Sequence, residues 1–311
     1  MTIASTPQTF TPVQTYQPPL ALSTCIRAVL VRNTGSMSLS EAQRGSNFPA
    51  HPFCSISCLF AGHTKRVASA VNADEAAPRP RLLGVTVTGP QERLQTVVHE
   101  TQAHYVMVFF YPDAWWMLTG VSMSSLTNHE IDASMALHPE MLAACERMFA
   151  HGGDEAHIHH LFDYLQPLWQ KCVSDHSHRG WTFKDWSQVL TPWMESLAMR
   201  AATTGLGRSL RQSERRIKHW TGTSLRKLQG SARREAVFFA VMDALSDEHF
   251  DWTQIAVANG FSDQSHFIRE TRRITGFSPE ALRHGVLNEE AFWLYRAWAK
   301  LAGYTLPGEV V

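Results

Sequence analysis

The spacing of apolar residues changes character along the chain. Residues 1–20 are rich in Thr, Pro and Gln with little periodicity, and read as a disordered lead-in. From Cys25 to Tyr111 the pattern is that of strands. FCSISCLF alternates, with Cys54, Ile56, Cys58 and Phe60 on one face. RLLGVTVTG, RLQTVVHE and HYVMVFFY are further runs of β-branched and aromatic residues. Residues 70–81 read as a loop and Gly89-Pro90 as a turn. After Pro112 the pattern becomes helical. It predicts helices over Ala114–Leu118, Met135–Ala150, Asp154–Ser174 and Trp181–Arg200, with a break at His151-Gly152-Gly153. From there to His284 every segment is helical. A last amphipathic helix, about Glu289 to Leu301, carries Phe292, Trp293, Tyr295 and Trp298.

The expected architecture is α+β. A β-rich domain over 21–134 is followed by a helical bridging region over 135–204, an all-α domain over 205–284 and an extension over 285–311.

A repeat at a spacing of 54 residues is the most informative pattern. Arg215, Thr221, Gly222 and Ser224 map onto Arg269, Thr275, Gly276 and Ser278, and Leu225 onto Pro279. Each copy ends a helix at a glycine, the residue suited to a left-handed cap. In the second copy Asp251 and Gln254 have capping-box spacing, Ala256 allows a close helix crossing, and Gly260 closes the helix. Ser262 then caps a helix from about Asp263 to Arg273. Two short helices about a glycine turn make a helix-turn-helix. Phe267, Thr271 and Ile274 fall on one side of its second helix; Gln264, Ser265, His266, Arg269, Arg272 and Arg273 fall elsewhere. Gln and Arg suit paired hydrogen bonds to base edges, and Arg272 and Arg273 suit phosphates. In the first copy Ser209 caps LRQSERRIKHW. Arg211, Gln212 and Arg215 lie near its N-terminal end, with Arg216 and Lys218 as flanking cations. A helix with several arginines is also what a solvated face looks like; the repetition favours a DNA surface.

Charge adds to this picture. The whole chain has 28 Lys+Arg against 28 Asp+Glu, but residues 205–284 hold 13 against 9. The basic surplus therefore coincides with the repeat. No apolar run is long enough to cross a membrane, and the N-terminus lacks the pattern of a secretory signal. Five scattered cysteines fit a reducing cytoplasm better than a disulfide framework. Cytoplasmic location without membrane contact is expected.

Other chemistry is weaker. Cys54-x3-Cys58 lacks a second close cysteine pair and reads as buried thiols. His99-Glu100 with His104 has one residue too many for a zinc-protease motif. His157 and His160 fit a polar helix face better than a metal site. No catalytic set, cofactor or metal is expected. Phe109, Tyr111, Trp115 and Trp116 are candidates for an effector pocket, or for plain core. Trp293 and Trp298 are expected to cover a surface near the helical domain, or to form a dimer contact.

IAVANGFSDQSHFIRETRRITGFSPEALR (255–283) and GRSLRQSERRIKHWTGTS (207–224) resemble the helix-turn-helix signatures of the AraC/XylS family of regulators. The resemblance spans about 80 residues, from Gly205 to His284. It implies base-facing roles for Arg211, Gln212, Arg215, Gln264, Ser265, His266 and Arg269, and capping roles near phosphates for Ser209 and Ser262. Thr271, Ser213 and Leu225 depart from the family's usual Phe, Leu and Pro. Through LLGVTVTGP (82–90) and VMVFFYPDAWWMLTGVSMSSL (106–126), the N-terminal part resembles a β-rich domain found ahead of some such regulators, and a cupin-like barrel or a sandwich is expected there. The implied partners are double-stranded DNA, a small-molecule effector, a second copy of the chain and, for an activator, RNA polymerase. The alternatives are a DNA-targeted enzyme of the alkylation-repair type and a protein-interaction module.

Overall fold

The computed structural model describes residues 13–62, 64–67, 84–150, 155–175, 190–204, 209–245 and 250–306. The predicted loop at 70–81 and the break at 151–153 lie outside them.

Among the described residues, nine strands form two antiparallel sheets. They are β1 Val13–Tyr16, β2 Ile26–Asn33, β3 Gly45–Phe48, β4 Cys54–Ala61, β5 Thr64–Val67, β6 Gly84–Thr88, β7 Gln95–His99, β8 His104–Phe110 and β9 Glu130–Asp132. The larger sheet has the order β1-β2-β8-β4-β6-β9 and the smaller the order β3-β7-β5. Neither closes into a barrel among the described residues. Of the disordered lead-in expected over 1–20, residues 1–12 lie outside the described residues; in the rest, Val13–Tyr16 is an edge strand in register with Arg32–Val29, and a short 3-10 helix spans Leu20–Leu22. Its Thr and Gln carry no apolar period, which is what an edge strand allows.

The alternation read in β4 is present, but Ser55 and Ser57 are buried as well as Cys54, Ile56 and Cys58. A central strand is covered on both faces. The neighbouring β8 shows by what: Tyr105 and Phe109 meet aromatic residues from the end of the chain, and Phe110 packs on Trp115. Burial pushes the Cys54 thiol well up and that of Cys145 to about 12, so both stay protonated.

The described residues also form ten α-helices. Helix α1 is Pro112–Thr119, α2 Pro139–Ala150, α3 Glu155–Asp175 and α4 Leu190–Thr203. Helix α2 starts four residues later than predicted, at a proline whose missing N–H costs nothing in a first turn. Residues 133–135 form a separate 3-10 turn. Of the helix predicted at Trp181–Arg200, the described part begins at Leu190. The remaining helices are α5 Leu210–Thr221, α6 Leu225–Asp243, α7 Trp252–Ala258, α8 Gln264–Thr275, α9 Pro279–Asn288 and α10 Trp293–Leu301. Helix α2 packs on β4 and β6, whereas α4 packs on α5 and α6. The helical bridging region at 135–204 therefore divides, its first helices belonging to the sheet and its last to the repeat. None of the helices is long and apolar enough to cross a membrane among the described residues.

Helix α10 returns to the sheets instead of covering only the helical domain. Trp293 lies against Phe48 and Tyr105, and its Nε1 donates to Ser46 Oγ at 2.8 Å. Trp298 lies against Phe109. Opposite them, Arg27 and Arg32 reach out from β2. Pairing skips Arg27 between Ile26↔Phe110 and Ala28↔Phe109, so Arg27 is the extra residue of a bulge. A bulge re-aims a side chain, and here it turns Arg27 to the same side as Arg32, five positions on. Arg27 pairs with Glu235 of α6 at 2.5 Å and lies 5.5 Å from the Trp298 ring. Arg32 pairs with Glu290 at 2.8 Å and lies 4.6 Å from the Trp293 ring. Each arginine thus has a carboxylate and an indole face, which together offset the cost of burying its charge.

Candidate nucleic-acid interface

The two copies of the repeat fold alike. In the first, α4 and α5 form the helix pair; in the second, α7 and α8. Ser209 is the N-cap of α5, accepting from the Gln212 amide at 3.3 Å, while Gln212 Oε1 accepts from the Ser209 amide at 3.3 Å. Asp263, not Ser262, caps α8: its carboxylate accepts from the His266 amide at 2.7 Å. Ser262 sits one place earlier and donates to Asp263 Oδ2 at 3.0 Å. Both contacts hold the Asp263 carboxyl below the usual carboxylate range. A carboxylate is the stronger acceptor at a helix N-terminus, which is why the cap shifts by one residue. Asp251 caps α7 through the Thr253 amide at 2.8 Å; a partner bond from Gln254 is not part of it.

The turns after α5 and α8 match atom for atom. Thr221 Oγ1 donates to the Ile217 carbonyl at 2.8 Å, and the Thr275 hydroxyl does so to Thr271 at 2.8 Å. Each hydroxyl also accepts from the amide two residues on, Thr223 or Phe277. Gly222 and Gly276 follow at φ 69° and 79°, the left-handed region that a side chain disfavours. Ser224 then caps α6 and Ser278 caps α9. Leu225 opens α6 where Pro279 opens α9, so the departure from proline costs the first copy only some rigidity.

Each of α5 and α8 buries one stripe. In α8, Phe267, Thr271 and Ile274 are buried, as predicted. Thr271 Oγ1 donates to the Phe267 carbonyl at 2.8 Å, so the hydroxyl in an apolar site is satisfied. In α5 the buried residues are Ile217 and Thr221, and Ser213 is half-buried.

Across the outer faces, Ser209, Arg211, Gln212, Arg215 and Lys218 are exposed on α5, and Ser265, Arg269, Arg272 and Arg273 on α8. Gln264 and His266 are half-buried, the latter with Nδ1 3.3 Å from Ser262 Oγ. Two predicted contacts have internal duties. Arg216 donates to the Ala201 carbonyl at 2.7 Å, tying α5 to α4. Arg273 pairs with Glu270 at 2.6 Å, which holds that carboxyl down. An open concavity of about 580 Å³ is lined by Gln212, Arg215, Arg216, Lys218 and His219. His219 and Leu210, which is 86% exposed, share this helix with the predicted residues. Leu210 is apolar like a core residue, but its place at the first helical position keeps it on the surface.

The candidate effector residues occupy another place. Phe109 lies under Trp298, Tyr111 stacks on Trp193, and Trp115 is fully buried beside Phe110. Burial pushes the Tyr111 hydroxyl up to about 12, and Arg27 bonds to it. These three pack at the joint between the sheets and the helices. Trp116 is half-buried, 4.5 Å from the His219 ring of α5. A cleft of about 850 Å³ does lie between the sheet domain and the first turn, with His51, Glu92, Ser124, Arg226 and Arg234 among its lining. Burial lowers the His51 pKa to about 4.

Residues 203–285 match the family model of a helix-turn-helix domain. No curated protein matches the chain. Among solved structures, ToxT from Vibrio cholerae in its P21 crystal form is 11% identical, with 87% of this chain and 97% of that chain covered at a TM-score of 0.35. The unsaturated-fatty-acid-bound ToxT of strain SCE256 is 13% identical, with 84% and 95% covered at a TM-score of 0.37. The helix pairs, their caps and the family match agree: the chain carries a helix-turn-helix domain over residues 203–285.

Proposed function

We propose that the chain is a sequence-specific, DNA-binding transcription regulator, with α5 and α8 as its two recognition helices. The observation that carries this reading is their equivalence. Each is capped, ended by the same Thr-Gly turn, anchored by one buried stripe and polar on the rest of its surface. On this reading the DNA-binding domain is 205–284, extended backward to include α4. Arg211, Gln212, Arg215, Gln264, Ser265, His266 and Arg269 face bases; Arg216, Lys218, Arg272, Arg273 and the amides near Ser209 and Ser262 position the backbone. Leu210 adds an apolar contact suited to a thymine methyl.

The N-terminal domain then serves as sensor or dimerisation unit. A small molecule would enter the cleft beside His51 and Arg226, since Phe109, Tyr111 and Trp115 are committed to packing. Acting as an activator, the protein would contact RNA polymerase in the cytoplasm. The test is a gel shift on fragments selected from a random DNA pool. Arg269→Ala is expected to lose about 1–3 kcal/mol with relaxed specificity at one position. Binding that is unchanged by this substitution, or insensitive to salt, sinks the assignment.

A further inference from the structure

The two Thr-Gly turns share more than their internal bonds: both press against the sheet domain. A Cβ built on Gly222 would lie 2.6 Å from the Ser124 amide nitrogen and 3.2 Å from Met123 Cβ. One built on Gly276 would lie 2.7 Å from Leu94 Cδ2 and 3.3 Å from Leu94 Cβ. Leu94 precedes β7, and Met123 and Ser124 lie in the 3-10 turn after α1; Leu94 and Met123 are buried. Equivalent points of the repeat, 54 residues apart, are therefore seated on one body. Three further contacts hold that body in place, Arg27–Glu235, Arg32–Glu290 and the Trp116–His219 ring pair; the exposed pair Lys227–Glu92 at 3.3 Å adds little.

We propose that Leu94, Met123 and Ser124 are positioning residues that grip both recognition helices at their C-terminal glycine turns, so that the sheet domain sets the relative pose of α5 and α8. A ligand or a second copy bound to that domain then acts on DNA through these two seats. The inference rests on the regulator reading above. Physically, a helix held at one end keeps its other end free for the groove, and recognition helices meet bases near their N-termini. The close approach also accounts for glycine at both turns beyond its φ.

The test takes a site selected by the full-length protein and inserts two base pairs between its half-sites. Wild type is expected to lose about tenfold or more in affinity, because fixed helices cannot follow a shifted groove. Leu94→Ala, and Leu94→Ala with Met123→Ala, should bind the unaltered site within about fivefold and lose less than about threefold on the insertion. Glu92→Gln, which removes only the surface pair to Lys227, should behave as wild type. Hydrogen exchange without DNA provides the second readout. In Leu94→Ala, amides 275–278 should exchange faster while 221–224 stay as in wild type. A wild type indifferent to the insertion overturns the proposal. So does a Leu94→Ala protein with the full wild-type penalty, which would make α6 the spacer, or with unchanged exchange at 275–278. Failure to select any DNA would count against the regulator reading, leaving the exchange result to judge the seats.

Discussion

The two helix-turn-helix units share a sequence motif but stand on different foundations. Leu197, Ala201 and Ile217 of the first unit, with Leu228 of α6, belong to the same apolar cluster as the strands of the large sheet. Ala256, Phe267 and Ile274 of the second belong to a separate cluster with Leu282, Phe292 and Tyr295. The first unit is thus an outgrowth of the N-terminal core. The second is a small core of its own, tied back by an extension whose residues alternate between clusters, Phe292 and Tyr295 in one and Trp293 and Leu294 in the other. One motif can be folded twice by local rules and still be supported in two ways. The motif specifies caps and turns, whereas support depends on what the rest of the chain brings to its buried side.

The comparison can be broken most strongly at the tie. Glu290→Ala leaves Arg32 charged in a site where it is 1% exposed, and should cost about 3–5 kcal/mol. Calorimetry should show the loss as a second, earlier transition for residues 250–306. A single transition shifted as a whole would mean that the two clusters melt as one. The next effect separates the turns. Alanine at either glycine pays about 1–2 kcal/mol for the left-handed backbone. At Gly222 the new methyl also meets the Ser124 backbone, which cannot rotate away, whereas at Gly276 it meets the end of a leucine. Gly222→Ala should therefore have the lower melting temperature, and the opposite order would refute the unequal seating. The smallest effect tests where the copies are the same. Thr221→Val and Thr275→Val each remove a matching set of bonds and should each cost about 1 kcal/mol, within 0.5 of one another, in urea unfolding.

Much of the helix-turn-helix architecture was legible in the chain. Ser209, Gly222 and Gly276 sit where the repeat puts them, because caps and left-handed turns depend on residues within one helical turn. The buried stripe Phe267, Thr271 and Ile274 follows from helical period alone. The misreadings have one origin. Ser262 was displaced by Asp263 through competition for the same amide, visible only once the helix start is known. Val13–Tyr16 passed for a tail because an edge strand needs a partner, not a pattern. Phe109, Tyr111 and Trp115 looked like a pocket because an apolar cluster does not state what fills it. Here the fill comes from Trp298 and Trp193, far along the chain.

What the sequence by itself determined is the duplicated helix-turn-helix, its caps, its turns and the polarity of its outer faces, since each depends on interactions spanning a few residues. Tertiary structure alone decided that Arg27 would find Glu235, that the last helix would return to the first sheet, and that both glycine turns would rest on the same domain. Those choices join residues about a hundred or more positions apart, and only packing can make them, because no local preference of either partner refers to the other.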